Sequence, residues 1–285
     1  MISVKAYGKI NLSIDVKGKR DDGYHYVKMI MQSINLFDIL TFKKSNHIEF
    51  ICDRNDIPKG DANIIIKAAK LLKNLYGGSG ALIELKKNIP MAAGLAGGSA
   101  DAAATLAALN ILWNLNLDNN ELKDIAVRLG ADVPFCLEGG TKIAEGIGEV
   151  LKELNTFQGE LLLVKPDIFV STKDIYEEFD RRNFMSQDYT QKVIEALIKN
   201  DKKNVYKNMG NDLENVTKEK YPVVSRIKSD MLKRGAVGAL MSGSGPTVYG
   251  IYEDESKLKE SYNSFRKEYS YVFHSKTINK GIEFI

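Results

Sequence analysis

The stretch Pro90-Met-Ala-Ala-Gly-Leu-Ala-Gly-Gly-Ser-Ala-Asp101 decides the fold of this chain. It lies between a segment predicted as a strand, ALIELKKN (81–88), and an Ala/Leu-rich segment predicted as a helix from Ser99 to about Trp113. Clustered glycines let the backbone approach a ligand closely, and the first turn of a helix offers unpaired N–H groups with a partial positive charge. The pattern therefore predicts a phosphate-binding loop. A tight turn with Ser99 as an ordinary helix cap is the alternative.

A second glycine-rich loop, Ser242-Gly-Ser-Gly-Pro-Thr247, lies between two predicted strands. A simple hairpin turn explains it equally well, because Ser-Gly and Gly-Pro are common turn signals. Neither loop ends in the Gly-Lys-Ser/Thr of a Walker A motif, and neither contains the G-x-G-x-x-G of a dinucleotide-binding fold. The usual nucleotide-binding folds are therefore disfavoured.

Hydrophobic patterns in the rest of the chain indicate an α+β protein. Period-2 alternation at Ile10, Leu12 and Ile14 predicts a first strand with one buried face. A helix is predicted between Asp61, a candidate N-cap, and Gly77, which would end it. Further predicted segments are strands at 25–36, 38–44, 47–52 and within 139–165, helices at 119–129 and within 172–235, and a final strand, strand, helix and strand between 237 and 278. We expect two domains, residues 1–160 and 161–285.

The composition excludes several classes of protein. The 40 Lys and Arg residues against 37 Asp and Glu residues leave a net charge of +3, without the basic excess of a nucleic-acid binder. We find no pattern of a signal peptide and no apolar run near the roughly 18 residues of a membrane span. Cys52 and Cys136 lie far apart, which fits a reducing compartment and predicts small buried side chains. A cytoplasmic protein without nucleic-acid or membrane partners is expected.

Polar residues of the first strand are candidates for chemistry. Lys9 and Asn11 share one face of this strand, because side chains alternate across a strand. A solvent-facing lysine explains the spacing equally well. The three histidines and two cysteines show no metal-ligand spacing, so no protein-bound metal site is predicted.

Two other short segments carry polar residues in restricted surroundings. Tyr24 and His25 follow Gly23 in a predicted loop, where a turn with a half-buried tyrosine is the alternative. Asp132 lies between a helix stop and a residue that Pro134 restricts, so its backbone is expected to be rigid. A structural aspartate at a turn is the alternative there.

Together, the Lys9 strand and the two glycine loops resemble, in order and spacing, the three motifs of the GHMP kinases, the superfamily of galactokinase, homoserine kinase, mevalonate kinase and phosphomevalonate kinase. The first motif, Lys9-Ile-Asn-Leu-Ser-Ile-Asp-Val-Lys-Gly-Lys-Arg-Asp-Asp-Gly-Tyr-His25, is similar to that of the branch that acts on 4-diphosphocytidyl-2-C-methyl-D-erythritol. The segment Gly130-Ala-Asp-Val-Pro-Phe135 also matches that branch. The resemblance spans nearly the whole chain. It implies a two-domain GHMP kinase fold, with a ribosomal-protein-S5-like N-terminal domain and a ferredoxin-like C-terminal domain.

The resemblance also implies an ATP-dependent kinase of the non-mevalonate isoprenoid pathway that phosphorylates the 2-hydroxyl of the methylerythritol moiety. Lys9 and Asp132 are the implied catalytic pair, with Asp132 as general base. Asn63 and Lys87 are implied as further nucleotide contacts, and Mg²⁺ is expected with the ATP near Ser99. The implied ATP-binding residues of the loop are Pro90, Met91, Ala92, Ala93, Gly94, Leu95, Ala96, Gly97, Gly98, Ser99 and Ala100.

Two loop positions depart from the resembled pattern. Ala96 and Ala100 stand where many GHMP kinases have Gly and Ser. Because alanine has no hydroxyl, we expect backbone contacts to phosphate and no side-chain contact at position 100.

For the acceptor substrate, the resemblance implies a cytosine between Tyr24 and Tyr176, with His25 at its polar edge and Asn11 near the reacting group. The other implied substrate contacts are Gly243, Ser244 and Gly245. Small molecules are the only expected partners, and the enzyme is expected to be a monomer or weak homodimer. Two alternatives remain: a sister GHMP kinase acting on mevalonate or homoserine, and a non-catalytic nucleotide- or RNA-binding module that reuses the S5-like domain.

Overall fold

Two long antiparallel strands, β1 (Ile2–Lys19) and β2 (His25–Ser45), form the centre of the first half of the chain. The computed structural model describes residues 1–182 and 184–285. Ile10 and Leu12 of β1 are fully buried, but so are Lys9 and Asn11, at 4% and 0% exposure. The prediction that β1 has one buried face is therefore wrong, because other elements cover both faces. The burial also rules out a solvent-facing Lys9.

The rest of the first half adds strands and helices to this pair. Predicted strands at 25–36 and 38–44 are one continuous strand, β2. The further strands are β3 (Ile48–Cys52), β4 (Gly80–Lys86), β5 (Thr141–Glu145) and β6 (Val150–Glu153). The helices are α1 (Ile64–Tyr76), α2 (Gly97–Leu112), α3 (Asn119–Val127) and α4 (Val133–Glu138), preceded by a 3-10 turn at Gly60–Ala62.

The second half alternates helices with short strands. Its helices are α5 (Thr172–Arg181), α6 (Tyr189–Ile198), α7 (Lys202–Asn208), α8 (Asp212–Lys220), α9 (Val223–Lys233) and α10 (Glu255–Phe265). Its strands are β7 (Glu160–Lys165), β8 (Gly210–Asn211), β9 (Gly238–Met241), β10 (Val248–Tyr252), β11 (Tyr271–Lys276) and β12 (Ile282–Phe284). Among the residues that the structure describes, no helix has both the length and the apolar character needed to cross a bilayer.

Two sheets pack against each other through apolar side chains. The second half forms an antiparallel sheet in the order β11-β7-β10-β9. Leu161 and Leu163 of β7 and Tyr249 of β10 belong to the same buried cluster as Ile10 and Leu12 of β1. The remaining strands join the larger sheet, in which β12 pairs antiparallel and β8 parallel with β1. The second half of the chain thus completes the first sheet, and the division at 160/161 stays a prediction.

Several local predictions need correction. Helix α1 is capped by Asn63, whose side chain accepts from the Ile65 N–H, and not by Asp61. Helix α2 begins at Gly97 and not at Ser99, because Ala96 is in the left-handed conformation (φ 54°) and ends the loop there. Cys136 is buried as expected, but Cys52 is partly exposed. The sequence patterns did not predict α4, β8 or β12.

A buried cluster of three charged side chains ties both ends of the loop at 90–96 to the sheet. Lys87 Nζ lies 2.6 Å from Asp101 Oδ2 and also contacts Asp38 Oδ2. Asp38 Oδ1 accepts from the backbone N–H groups of Asn88 (2.6 Å) and Ile89 (2.8 Å), which lead into the loop, whereas Asp101 is in the helix that follows it. All three charged side chains are at most 4% exposed. The cluster therefore holds the entry and the exit of the loop in place.

Burial and the neighbouring charges together shift the pKa values of this cluster. Burial opposes the charge on Lys87, but the fields of Asp101 and Asp38 outweigh it and raise the pKa of the ammonium. Burial, together with Asp38, raises the pKa of Asp101 well above its usual range. Asp101 Oδ1 has no hydrogen-bond partner among the described residues.

We expect Lys87→Met to lower the free energy of unfolding by about 3–5 kcal/mol, because it leaves the buried Asp38 carboxylate without its cation. Urea unfolding measures the loss. The control is Lys43→Met, which breaks the surface pair with Glu84 and is expected to cost less than about 1 kcal/mol. Equal losses in the two variants would contradict a buried charged cluster.

Strand β12 is held against β1 by Glu283. Its carboxylate accepts from the Tyr7 hydroxyl at 2.6 Å and lies 3.5 Å from Lys5 Nζ. Hydrogen bonds from Lys280 and then Tyr7 lower the pKa of Glu283 from 4.5 to about 2. A lowered pKa in the folded state means that this stabilisation is present above the unfolded pKa and is lost as the pH falls through the folded value.

We therefore expect Glu283→Gln to lower the melting temperature at neutral pH, and this difference from wild type to shrink as the pH falls from 4.5 to about 2. Circular dichroism melts across that range measure the effect. Glu84→Gln, which alters an exposed pair in the same sheet, is the control and should change the melting temperature little. A Glu283→Gln difference that stays constant with pH would contradict the assignment.

Candidate active site

A cleft with a volume of about 950 Å³ lies between the loop after β4 and the loop joining β9 to β10. It takes side chains from both halves of the chain. Most residues predicted for the site line it: Lys9, Asn11, Tyr24, His25, Lys87, Pro90, Met91, Ala92, Ala93, Gly94, Leu95, Ala96, Gly97, Gly98, Ser99, Asp132, Tyr176, Gly243 and Ser244.

The loop before α2 presents backbone to the cleft. Ala92, Gly94 and Ala96 all have positive φ (47°, 72° and 54°), so the chain reverses its direction repeatedly over a few residues. The following helix α2 starts with small residues, and its N-cap residue Ala96 makes no side-chain capping bond. The first N–H groups of an α-helix have no partner within the helix. This end of the cleft therefore offers several N–H donors and the positive end of a helix dipole.

The second glycine loop closes directly on the first. The Ser242 hydroxyl donates to the Gly94 carbonyl at 2.9 Å. A Cβ on Gly94 would lie 2.1 Å from the Ser242 carbonyl oxygen, so only glycine permits this approach. Asn211 holds the second loop from behind, because its Nδ2 donates to the carbonyls of Met241 (2.9 Å) and Gly243 (2.8 Å). Because of this closure, the loop serves as a wall of the cleft rather than as a free hairpin turn.

Lys9 and Asp132 meet in the cleft. Lys9 Nζ lies 3.6 Å from Asp132 Oδ2, and 29% of the Asp132 side chain is exposed. Asp132 stands at the N-cap position of α4 but makes no side-chain capping bond, so its carboxylate is not used to hold the helix. The backbone of Lys9 is held against the loop, because its N–H donates to the Leu95 carbonyl at 3.0 Å. The Lys9 ammonium and the accessible Asp132 carboxylate thus lie in the same cleft as the uncapped start of α2.

Asn11 connects this pair to the second loop. Its Oδ1 accepts from Lys9 Nζ at 2.9 Å and from the Gly243 N–H at 3.0 Å. Its Nδ2 donates to Met29 Sδ at 3.3 Å, and its carbonyl accepts from the Tyr249 hydroxyl at 2.8 Å. All polar groups of the side chain are thus bonded to protein, which makes Asn11 a support of the site.

Aromatic residues line another part of the cleft. Tyr24 is 60% exposed, in a turn that the Asp22 carboxylate stabilises by accepting from the Tyr24 N–H at 3.2 Å. His25 is buried and stacks on Tyr176, with ring centroids 4.7 Å apart. Burial, and then the charge of Asp132, raises the pKa of the Tyr176 phenol, so this ring stays neutral. Of these three rings, only that of Tyr24 is largely exposed.

The structure does not bring three of the predicted residues into the cleft. Asn63 uses its side chain to cap α1 and to donate to the Pro58 carbonyl at 2.7 Å. Ala100 is fully buried inside α2, and Gly245 lies in the second loop at a point where a Cβ would meet Met241. Lys87 lines the cleft, but its ammonium is bonded to two carboxylates. Direct contacts of these residues with a ligand stay predictions.

Sequence reasoning missed several residues of the cleft. Thr172, at the start of α5, shares a hydrogen bond of 2.8 Å with Ser244. Asp180, one helical turn after Tyr176, lies 2.6 Å from His25 Nε2. The four-residue spacing of Tyr176 and Asp180 places both on one face of a helix and was the only signal available for Asp180. No pattern pointed to Thr172, whose role depends on a loop far along the chain.

Comparisons with known proteins identify the family of this chain. The family model described as GHMP kinases N terminal domain matches residues 63–140, and the model described as GHMP kinases C terminal matches residues 193–270. A relative from Thermoanaerobacter pseudethanolicus, named 4-diphosphocytidyl-2-C-methyl-D-erythritol kinase, is 54% identical over 99% of this chain and 98% of its own. A relative of the same name from Clostridium beijerinckii is 45% identical over 97% of this chain and 100% of its own.

Solved structures give the same result. A crystal structure of a 4-(cytidine 5'-diphospho)-2C-methyl-D-erythritol kinase is 29% identical, with a TM-score of 0.82 over 96% of this chain and 98% of that one. Homoserine kinase from Cytophaga hutchinsonii, 21% identical with a TM-score of 0.78 over 100% of this chain and 97% of that one, shares the fold. The predicted α+β GHMP kinase fold is confirmed. The chain belongs to the 4-diphosphocytidyl-2-C-methyl-D-erythritol kinase family of the GHMP kinases.

Proposed function

We propose that this enzyme transfers the γ-phosphoryl group of ATP to the 2-hydroxyl of 4-diphosphocytidyl-2-C-methyl-D-erythritol, a step of non-mevalonate isoprenoid precursor synthesis. The observation that carries the proposal is the approach of Lys9 Nζ to Asp132 Oδ2 (3.6 Å) beside the uncapped start of α2. The names of the relatives support the substrate. A non-catalytic binding module would have no use for this convergence.

The loop at 90–100 is assigned to the ATP phosphates. The N–H groups at the start of α2 and the helix dipole suit an anion, so phosphate binding needs few lysines here. We assign Asn63 and Lys87 to shaping this end of the cleft. Asn63 fixes the start of α1, and Lys87 lies beneath Gly97, where a Cβ would be 3.0 Å from its Nζ. Their contribution to ATP binding is then indirect.

The donors in this part of the cleft fit Mg²⁺ bound together with ATP. Mg²⁺ takes oxygen ligands and is usually held by one or two carboxylates and the substrate phosphates. Ser99 lines the cleft and its hydroxyl is an oxygen ligand of the right type. No group of three or more metal-ligating side chains occurs among the residues described, so a dedicated protein cage is not part of the proposal. The ion would neutralise charge on the phosphates.

Asp132 is assigned as the general base and Lys9 as its electrostatic partner. Phosphoryl transfer depends on in-line positioning and charge stabilisation more than on covalent chemistry. The accessible Asp132 carboxylate accepts the proton of the attacking hydroxyl, and the Lys9 ammonium stabilises the oxygen as it gains negative charge. Asn11 keeps Lys9 in place by accepting from its Nζ. Gly243 donates to the same oxygen of Asn11, so closure of the second loop and placement of Lys9 are linked.

The aromatic part of the cleft is assigned to the cytosine. Tyr24 and Tyr176 both line it, and stacking contributes about 1–3 kcal/mol per base in nucleic-acid sites. His25 would bond the polar edge of the base. Gly243, Ser244 and Gly245 belong to the loop that closes over the reacting end, and Thr172 supports Ser244.

We expect purified enzyme with ATP to release ADP when 4-diphosphocytidyl-2-C-methyl-D-erythritol is the acceptor. A coupled assay of ADP release measures this, with mevalonate and homoserine as parallel acceptors. These two acceptors lack a base, so they leave Tyr24 and His25 without a partner and should give little turnover. If only mevalonate or homoserine is phosphorylated, the proposed substrate is wrong.

We expect Asp132→Asn to lower kcat by about 100- to 10,000-fold, because a general base acts in the transition state. The KM for ATP should change little. The control is Asp124→Asn, the same change on the exposed face of α3 and outside the cleft, which should leave kcat unchanged. If Asp132→Asn has the same kcat as wild type, Asp132 is not the general base.

A further inference from the structure

Helix α5 contacts the ring of His25 at two points on one helical face. The Tyr176 ring stacks on the imidazole with an interplanar angle of 27°. One turn later, Asp180 Oδ1 lies 2.6 Å from His25 Nε2. Only 6% of the His25 side chain is exposed, so these two contacts define both the plane and the rotation of the ring.

Asp180 is held in its charged form. Its second oxygen, Oδ2, accepts from Lys19 Nζ at 2.8 Å. Burial alone would raise the pKa of Asp180, but hydrogen bonds from Lys19 and His25 outweigh burial and lower it. An ionised carboxylate can only accept hydrogen bonds. The Nε2 atom of His25 must therefore carry the proton that points at Asp180.

This contact defines the chemistry of the other ring nitrogen. In a neutral imidazole with its proton on Nε2, Nδ1 is a hydrogen-bond acceptor. None of the described residues bonds to His25 Nδ1, and His25 lines the cleft. The ring therefore has one acceptor left for a ligand.

We propose that Asp180 is a positioning residue that makes the site select cytosine over uracil, acting through His25. The inference rests on the proposed function, which places the base beside His25. Cytosine carries an amino donor where uracil carries a carbonyl acceptor. An acceptor at Nδ1 pairs with the amino group, whereas uracil would bring a second acceptor against it and leave both unsatisfied. Sites that bond a particular polar group discriminate strongly against analogues that lack it.

Docking of α5 onto the rest of the protein does not require Asp180. Ile175 and Phe179 of the same helix are 1% and 6% exposed and anchor it in the main core. The Asp180 side chain is 28% exposed and lies on the wall of the cleft. Its carboxylate is therefore placed to act on His25 rather than to hold the helix.

The test compares kcat/KM for 4-diphosphocytidyl-2-C-methyl-D-erythritol and for its uridine counterpart in wild type and in Asp180→Ala. We expect the cytosine preference to fall by roughly 10- to 100-fold in the variant, since losing one oriented hydrogen bond costs about 1–3 kcal/mol. The KM for ATP should not change. Asp180→Glu, which keeps a carboxylate, should retain more of the preference than Asp180→Ala.

A spectroscopic measurement tests the same step directly. The chain has three histidines, so ring ¹⁵N spectra are simple, and His25→Asn identifies the His25 signals. In the neutral ring, wild type should show the Nε2-protonated tautomer at His25, and Asp180→Ala should show a mixture. Glu178→Gln is the matched control, because this carboxylate of the same helix pairs with Arg181 and Arg182 and does not line the cleft.

The outcomes separate the two proposals. Cytosine preference in wild type that is lost in Asp180→Ala and kept in Glu178→Gln supports the role of Asp180. A preference that survives in Asp180→Ala, or a wild type that uses both substrates equally, overturns this inference and leaves the kinase assignment intact. No turnover of either substrate by wild type overturns the proposed function and this inference with it.

Discussion

The contact between the two glycine loops is the constraint on which the rest of the site depends. Gly94 and Ser242 approach so closely that no side chain fits on Gly94. Asn11 completes the junction, because one oxygen accepts from both Lys9 Nζ and the Gly243 N–H. A shift of the second loop would therefore change the surroundings of Lys9 at once. The two halves of the chain form one site because of this junction.

Burial assigns different roles to two lysines that look alike in the sequence. Lys87 is sealed between Asp38 and Asp101, where its charge stabilises the path of the phosphate loop. Lys9 is also buried, but its carboxylate partner Asp132 is 29% exposed and faces the cleft. An ion pair with one accessible member can take part in proton transfer, whereas a sealed one cannot reach a substrate. The net charge of +3 carries no sign of this division.

Local patterns predicted the parts of the fold that depend on near neighbours. The glycine-rich segment at 90–101 forms a loop leading into a helix, and the first helix ends at Gly77. The exact start of α2 was missed because the left-handed conformation of Ala96 depends on how the loop packs. Strands β8 and β12 are too short to show an alternating pattern, and they are strands only because they pair with the edge of β1 that β2 leaves free.

The order of residues was sufficient for the fold class, for the loops and for the types of side chain that the chemistry needs. Which of those side chains meet was decided by the tertiary structure. Asp132 reaches Lys9 through the turn before α4, and Asp180 reaches His25 across the packing of α5 on the first sheet. The physical reason is that strand and helix periodicity arises from bonds between near neighbours. Contacts between distant segments depend on strand register and on the packing of whole elements, which no short pattern contains.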